Sequence, residues 1–177
     1  MKLLITGATG LVGTSLIEKY TQQGIQIHYL TTRKSQLKSI DGAQGYYWNP
    51  NKNEIDLACF LGVDSIIHLA GATVSKRWTK AYKEKIYSSR VLSTQLLLKG
   101  LQSCKGDHQV KQLVSASAIG IYPSDFEKVM NEEVAVEPTA FMQKVVYDWE
   151  REVDAFKAEG VPVTKIRIGL VLSKKGG

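Results

Sequence analysis

The stretch MKLLITGATGLVG, residues 1–13, decides the fold. A compact apolar run, Leu3 to Thr6, leads directly into Gly7, Gly10 and Gly13, while Val12, Leu16 and Tyr20 recur every four residues behind them. The first pattern is that of a strand buried on both faces, the last that of an amphipathic helix. Between them each glycine has a separate steric task. Gly7 permits a tight turn off the strand, Gly10 lets a ligand approach the main chain, and Gly13 lets helix and strand pack closely. A helix starting there offers unpaired N–H groups and a positive dipole end, which suits the diphosphate of a dinucleotide. The spacing G-x-x-G-x-x-G is a variant of the dehydrogenase fingerprint G-x-G-x-x-G.

Working outward, Gly24 is suited to cap the helix, and IQIHYL (25–30) reads as the second strand, completing a β-α-β unit of about 30 residues. GYYWNP (45–50) predicts a strand closed by an Asn-Pro turn, DLACFLG (56–62) a short helix, and SIIHLAG (65–71) another buried strand. Thr79 to about Cys104 is helical, with a bend expected near Ser88 and Ser89, and QLVSASA (112–118) is again a strand. Residues 119–137 show no period and have the length of an active-site loop. Phe141, Val145, Trp149, Val153 and Phe156 form a helical stripe between Pro138 and Gly160, and VTKIRIGLVL (163–172) is the last strand. This alternation predicts an α/β, Rossmann-type doubly wound parallel sheet with helices on both faces and right-handed crossovers. Residues 1–177 read as one dinucleotide-binding domain without an internal boundary.

The end of the second strand bears on which dinucleotide is bound. An acidic residue about 20 positions past the glycines would take the ribose 2′-hydroxyl of NAD. Here LTTRKS (30–35) has no acid, and Thr32 and Arg33 stand in its place. Arginine pairs with a 2′-phosphate, so NADP is the expected cofactor, ahead of NAD.

Bulk properties narrow the field. Hydrophobic types make up 44% and charged types 23% of 177 residues, enough for one well-packed core. The first strand begins so near Met1 that no leader is expected, and no apolar run approaches membrane-spanning length, so a cytoplasmic protein is expected. Cys59 and Cys104 have no metal-site or C-x-x-C spacing, so neither a metal nor a disulfide is predicted. The net charge of +6 admits nucleic acid, a membrane surface or an anionic small molecule. Its densest stretch, KRWTKAYKEK (76–85), contains Glu84 and reads as a solvated helix start, and no nucleic-acid-binding signature accompanies it. A small-molecule substrate is the expected partner, with no nucleic acid and no membrane.

TGATGLVG, DSIIHLAG (64–71), SSRVLST (88–94), LVSASAIG (113–120) and RIGLVL (167–172) follow the order and approximate spacing of the extended short-chain dehydrogenase/reductase superfamily, which the whole chain resembles. LAGATVSKRWT, SSR and SASAIG are similar to its branch of NAD(P)-dependent nucleoside-diphosphate-sugar epimerase-like proteins. The resemblance implies a Rossmann domain with NADP(H), and an epimerase or oxidoreductase acting on a small, sugar-nucleotide-like substrate. It places Gly7, Ala8, Thr9, Gly10, Leu11 and Val12 around the diphosphate, Leu69, Ala70 and Gly71 along the cofactor, and Ser115 to Ser117 near the nicotinamide. Superfamily members ordinarily continue into a C-terminal substrate lobe. SKKGG follows the last strand directly, so that lobe is expected to be absent from this chain.

Superfamily chemistry uses a Tyr-x-x-x-Lys pair, in which the lysine assists the tyrosine as acid or base. Alignment on Trp149-Glu150 puts Met142 and Val146 at those positions, and neither carries a proton. Tyr147 and Arg151 have the right separation but are rotated by about 140° on the helix. Ser117 is then the candidate donor to a substrate carbonyl and Tyr122 the candidate acid or base, although a backbone-bonded serine and a packed tyrosine are the structural alternatives. Arg90 meets either an anionic substrate or a helix carboxylate, and His68 reads as a satisfied structural histidine. Two functional readings stay open: an NADP-dependent enzyme, or a non-catalytic NADP-binding sensor or interaction protein.

Overall fold

The computed structural model describes residues 1–104, 108–125 and 127–173. Seven strands, β1 (Lys2–Thr6), β2 (Gln26–Thr31), β3 (Ala43–Asn49), β4 (Glu54–Ile55), β5 (Ser65–His68), β6 (Gln112–Ala118) and β7 (Val163–Ile168), form one sheet in the order β4-β3-β2-β1-β5-β6-β7. Every pairing is parallel except β3 with β4. The chain steps outward from β1 through β2 to β3, then restarts on the other side of β1 and steps through β5, β6 and β7. A parallel sheet of this kind opens a crevice at the carboxyl ends of β1 and β5, where the direction of winding reverses. The Rossmann-type α/β fold read from the sequence is the fold observed.

Alternation along β1 sends its side chains to two cores. Leu4 joins Leu30, Ile66 and Leu113 beneath α2 (Lys80–Ser103) and α3 (Phe141–Asp154), whose Leu97, Leu101, Trp149 and Val153 fill that layer. Leu3 and Ile5 turn the other way and pack with Ile27, Tyr29 and Ile17 of α1 (Leu11–Gln22). Helices therefore lie on both faces, α2 and α3 on one and α1 on the other, where it packs on β1 and β2. Helix α1 ends where Gly24 takes φ +73°, with Gly24 N–H donating to Thr21 O at 3.0 Å and Ile25 N–H to Tyr20 O at 3.1 Å. This double closure satisfies the last carbonyls and turns the chain into β2.

Several boundaries differ from the sequence reading. Residues 56–62 give only a single 3-10 turn, Leu57–Phe60, with Asp56 Oδ1 accepting from Ala58 N–H. The segment is too short to repay helix nucleation. Helix α2 runs unbroken through Ser88 and Ser89. The last strand ends at Ile168, because beyond Ala118 its partner β6 turns away and there is no neighbour left to pair with. Strand β4 was not foreseen: the Asn49-Pro50 turn closes a two-residue antiparallel hairpin, Trp48 opposite Ile55, too short to leave a periodic signature. Of the SKKGG end, only Ser173 lies within the described residues.

The glycine turn is held from both sides. Gly7 has φ +68°, and a Cβ there would stand 2.7 Å from Leu69 O. At Gly13 a Cβ would overlap Gly7 O and come within 2.9 Å of Ala8 Cα, main-chain atoms that cannot rotate aside. Overpacking of this kind costs about 1–3 kcal/mol. Gly13→Ala is therefore expected to lower the thermal midpoint by roughly 3–10 °C, using about 2–4 °C per kcal/mol for a chain of this size. Scanning calorimetry checks this, and an unchanged midpoint would mean that α1 is not seated on the turn.

Candidate functional site

A groove of about 610 Å³ lies across the carboxyl ends of β1, β2, β3 and β5. Its floor is the glycine turn, Gly7, Ala8 and Thr9. One wall is Thr31, Thr32 and Arg33 at the end of β2 with Trp48 to Asn51 at the end of β3; the other is Ala70 to Ala72 with Lys85, Ser88, Ser89 and Ser93 of α2. Gly10 is the N-cap of α1 and no side chain caps that helix, so its first-turn N–H groups have no intrahelical or side-chain partner. Among the described residues, Arg33 and Lys85 are the charged ones lining the groove, and no carboxylate lines it. Uncapped N–H groups, a helix dipole and two cations suit an extended polyanion.

A second cavity, about 630 Å³, lies behind Ala8 and Thr9, between α1 and residues 36–41. Its charged lining residues are Glu18 and Asp41, which repel an anion. The two cavities are of similar size, so charge assigns the anionic ligand to the first.

The groove is positioned from beneath by a buried polar chain. Thr6 Oγ1 accepts from Leu69 N–H at 3.0 Å and Ala70 N–H at 3.1 Å, so its own hydrogen is directed to His68 Nδ1 at 2.7 Å. His68 then carries its proton on Nε2, facing Thr94 Oγ1 at 3.0 Å, and Thr94 donates to Arg90 O at 2.7 Å. One neutral tautomer satisfies every member. Complete burial pushes the His68 imidazole down to about 4. The histidine ties β1, β5 and α2 together and holds the backbone at 69–70 against Gly7.

Of the residues singled out in the sequence, Gly7, Ala8, Thr9, Thr32, Arg33, Ala70 and Gly71 meet in this groove. Leu11 and Val12 open helix α1 beside it. Val12 and Leu69 also line an apolar furrow on the α1 face of the sheet. Ser115 is buried and donates to Ala116 O at 2.9 Å. Arg90 meets no carboxylate among the described residues. Its Nη1 and Nη2 donate to Ile86 O and Ala72 O, both at 3.1 Å, and its guanidinium lies 5.5 Å from the Trp149 ring, so it braces the 71–72 turn on α2. Burial holds its pKa below the ordinary arginine range.

Ser117 and Tyr122 share one network outside the groove. Ser117 Oγ donates to Glu150 Oε1 at 2.5 Å; Arg167 binds the same carboxylate through Nε at 2.9 Å and Nη2 at 3.0 Å, and donates from Nη1 to Tyr122 Oη at 2.7 Å. Burial pushes the Glu150 carboxyl up, but the bonds from Arg167 and Ser117 outweigh it and hold the group ionised below its usual range. At the positions of the superfamily pair, Val146 is fully buried and Met142 packs by Gly120. Tyr147 is 44% exposed and lines a separate cavity with Arg151 and Asp154.

Sequence reasoning missed Trp48, Asn49, Asn51, Lys85, Ser88 and Ser89 as groove residues. The WNP turn and the SSR motif marked where to look, but which wall they face depends on β3 lying beside β2 and on α2 crossing behind β5.

Residues 3–174 match the profile of the NAD dependent epimerase/dehydratase family. The chain belongs to that family. It is 39% identical over 176 residues to an epimerase family protein of Staphylococcus saprophyticus, covering 98% of this chain and 56% of that protein. The chain thus spans little more than half the length of the relatives it matches. Among solved structures, a nucleoside-diphosphate sugar epimerase from Corynebacterium glutamicum is similar over 100% of this chain and 35% of that one, with TM-score 0.79 and 29% identity. A human epimerase family protein solved with NADPH aligns over 100% of this chain and 56% of its own, with TM-score 0.78 and 22% identity, a likeness of fold. Among the described residues no helix of this family member is long and apolar enough to cross a membrane, and no cluster of three His, Cys, Asp or Glu is placed to hold a metal ion.

The buried His68 makes stability depend on pH. Its folded value, about 4, lies below the ordinary 6.5. Above pH 6.5 the histidine is neutral in both states and its contribution is complete; as pH falls from 6.5 toward 4 only the unfolded chain takes up the proton, and stability is lost. Urea unfolding between pH 7.5 and 4.5 is expected to show this loss in the wild type and a shallower one in His68→Leu. Parallel profiles would rule out the histidine as its source.

Proposed function

We propose that this chain binds NADP(H) in the groove at the β1/β5 crevice and forms the cofactor half of an epimerase or oxidoreductase acting on a small, sugar-nucleotide-like substrate in the cytoplasm. One observation carries the reading: the turn Gly7–Thr9 that leads into the uncapped N-terminus of α1 floors a groove that, among the described residues, holds Arg33 and Lys85 and no acid. The family profile names an NAD-dependent activity, and one structural neighbour is solved with NADPH. The site fits the group.

In this reading the N–H groups of Leu11 and Val12 take the diphosphate, since that of Gly10 is donated to Gly7 O; Ala70 and Gly71 let the chain of the dinucleotide pass close to β5, and Arg33 takes the 2′-phosphate. When bound, the nicotinamide supplies or accepts hydride. Arg90 acts from behind the 71–72 turn and offers its remaining N–H groups to an anionic substrate. Ser117 donates to a substrate carbonyl only if it gives up its bond to Glu150, whereas Tyr122, which accepts from Arg167, keeps its own O–H to donate.

That engagement favours a second reading, in which the chain binds NADP(H) as a sensor or interaction protein and transfers no hydride. Val146 and Met142 in place of a Tyr/Lys pair support it equally.

Replacing Arg33 by Ala is expected to weaken NADPH by about tenfold or more, the value of a charge-assisted contact, and NADH much less. Calorimetric titration measures both, and equal losses would contradict the assignment to the 2′-phosphate. Hydride transfer separates the two functional readings. With the full-length protein, 4-deuterated NADPH is expected to pass its label to a member of a panel of carbonyl compounds and sugar nucleotides. Binding without any transfer would leave the sensor as the function.

A further inference from the structure

Residues 69–79, which join β5 to α2, fold back on themselves beside the groove. The loop is pinned where Ala72 N–H donates to Ser89 Oγ at 2.9 Å and Ala72 O accepts from Arg90 Nη2 at 3.1 Å. Tyr82 Oη donates to Thr73 O at 2.7 Å and Trp78 Nε1 to Val74 O at 2.8 Å, which ties the loop across its middle. Thr79 then caps α2, its Oγ1 accepting from Tyr82 N–H at 3.2 Å. The Trp78 ring meets the Phe141 ring edge-on at 5.6 Å at the start of α3, where Met142 packs by Gly120. The loop thus reaches from the carboxyl end of β5 to the turn that follows β6. With the adenosine ribose assigned to Arg33 of β2, this is the side of the crevice left for the nicotinamide and its substrate.

The charge of this loop works against its own fold. Residues 72–83 hold Lys76, Arg77, Lys80 and Lys83 and no acid. The first turn of α2 has no acidic residue to complement its positive dipole end, and Lys80 opens the helix instead, so the cations repel both one another and the helix terminus. Lys76 lies 6.0 Å from the Tyr82 ring and Lys83 5.2 Å from the Phe141 ring. The side chains of Arg77 and Lys80 make no ion pair or hydrogen bond among the described residues, and both residues are exposed. Beside them, Trp78 is 42% exposed although its N–H is already bonded. A local pattern that weakens its own helix without compensation inside the fold calls for a partner outside it. Arg90 is not that pattern, because two of its N–H groups are spent on Ile86 O and Ala72 O behind the same turn.

Resting on the dinucleotide reading above, we propose that this loop is the anion clamp of the substrate site: Arg77 and Lys80 take a phosphate group of the substrate, and the exposed face of Trp78 carries the ring that bears it. A guanidinium and an ammonium with their donors unspent, backed by two further cations and a helix N-terminus, match a dianionic phosphate better than a singly charged carboxylate. The substrate is thereby a phosphate ester, held at the nicotinamide end by groups separate from those that hold the dinucleotide.

The test is calorimetric titration of the intact chain, first with NADPH and then, with the groove saturated, with a hexose 1-phosphate, the unphosphorylated hexose and the corresponding hexuronate. The hexose phosphate is expected to bind saturably and more tightly than the other two. Arg77→Ala and Lys80→Ala are each expected to weaken it by about tenfold or more, the value of a charge-assisted contact, and to leave the affinity for NADPH unchanged. Neither variant is expected to lower the thermal midpoint, because neither side chain holds anything in the fold. A wild type that binds NADPH but not the hexose phosphate, a hexuronate that binds as tightly, or variants that keep full affinity for the phosphate overturn the assignment while leaving the dinucleotide reading intact. A wild type that binds neither NADPH nor the hexose phosphate overturns both.

Discussion

A single main-chain contact organises this molecule: the turn at Gly7 lies against the carbonyl of Leu69, at a separation no side chain would allow. The contact brings the end of β1 against the end of β5 and sets the point at which the sheet reverses its winding. Helix α1 takes its direction from the same turn, because Gly13 rests on Gly7 and Ala8. Thr6 and His68 hold the contact from below with a hydrogen-bonded chain in which each hydrogen has one acceptor. The crevice is thus preformed, with its donors aimed before any ligand arrives, which removes part of the entropic cost of binding.

The two halves of the candidate site are built differently. The anion-binding half is backbone N–H groups, glycines and solvent-facing cations, groups that ask for a partner. The half that would carry proton chemistry is already paired, with Ser117, Glu150, Arg167 and Tyr122 closed on one another across β6, α3 and β7. A bidentate arginine-carboxylate pair of which the acid is 8% exposed is costly to open from one side, since the remaining charge is left unpaired. The groove and this paired network are therefore separate in this fold, and the chain spans little over half of its relatives' length.

The charge of the chain has its explanation in the same division. Its basic excess is not spread evenly over functional surfaces: the groove holds Arg33 and Lys85, while Lys165 and Arg167 are consumed by Glu150 and Asp154, and Lys83 and Lys34 lie over the rings of Phe141 and Tyr47. Net charge alone admitted nucleic acid as readily as a nucleotide. The placement of individual cations favours the small polyanion.

What residues 1–33 determined unaided was considerable: a buried strand, a glycine turn, a helix born on that turn, and a second strand ending in Thr32 and Arg33 without an acid. These are local instructions, written at the 2- and 3.6-residue periods and in the one residue type that tolerates the turn, so they survive without tertiary information. Tertiary structure alone decided which distant side chains meet. Nothing in the spacing of Ser117, Glu150 and Arg167 shows that they meet, because they come from three elements joined only by sheet order and helix packing. Lys85 and Ser88 to Ser89 became one wall of the groove, and Trp48 to Asn51 the facing one, for the same reason. Side chains that act across a cleft belong to segments distant in sequence, and which of them face each other is fixed by how the strands are ordered around β1.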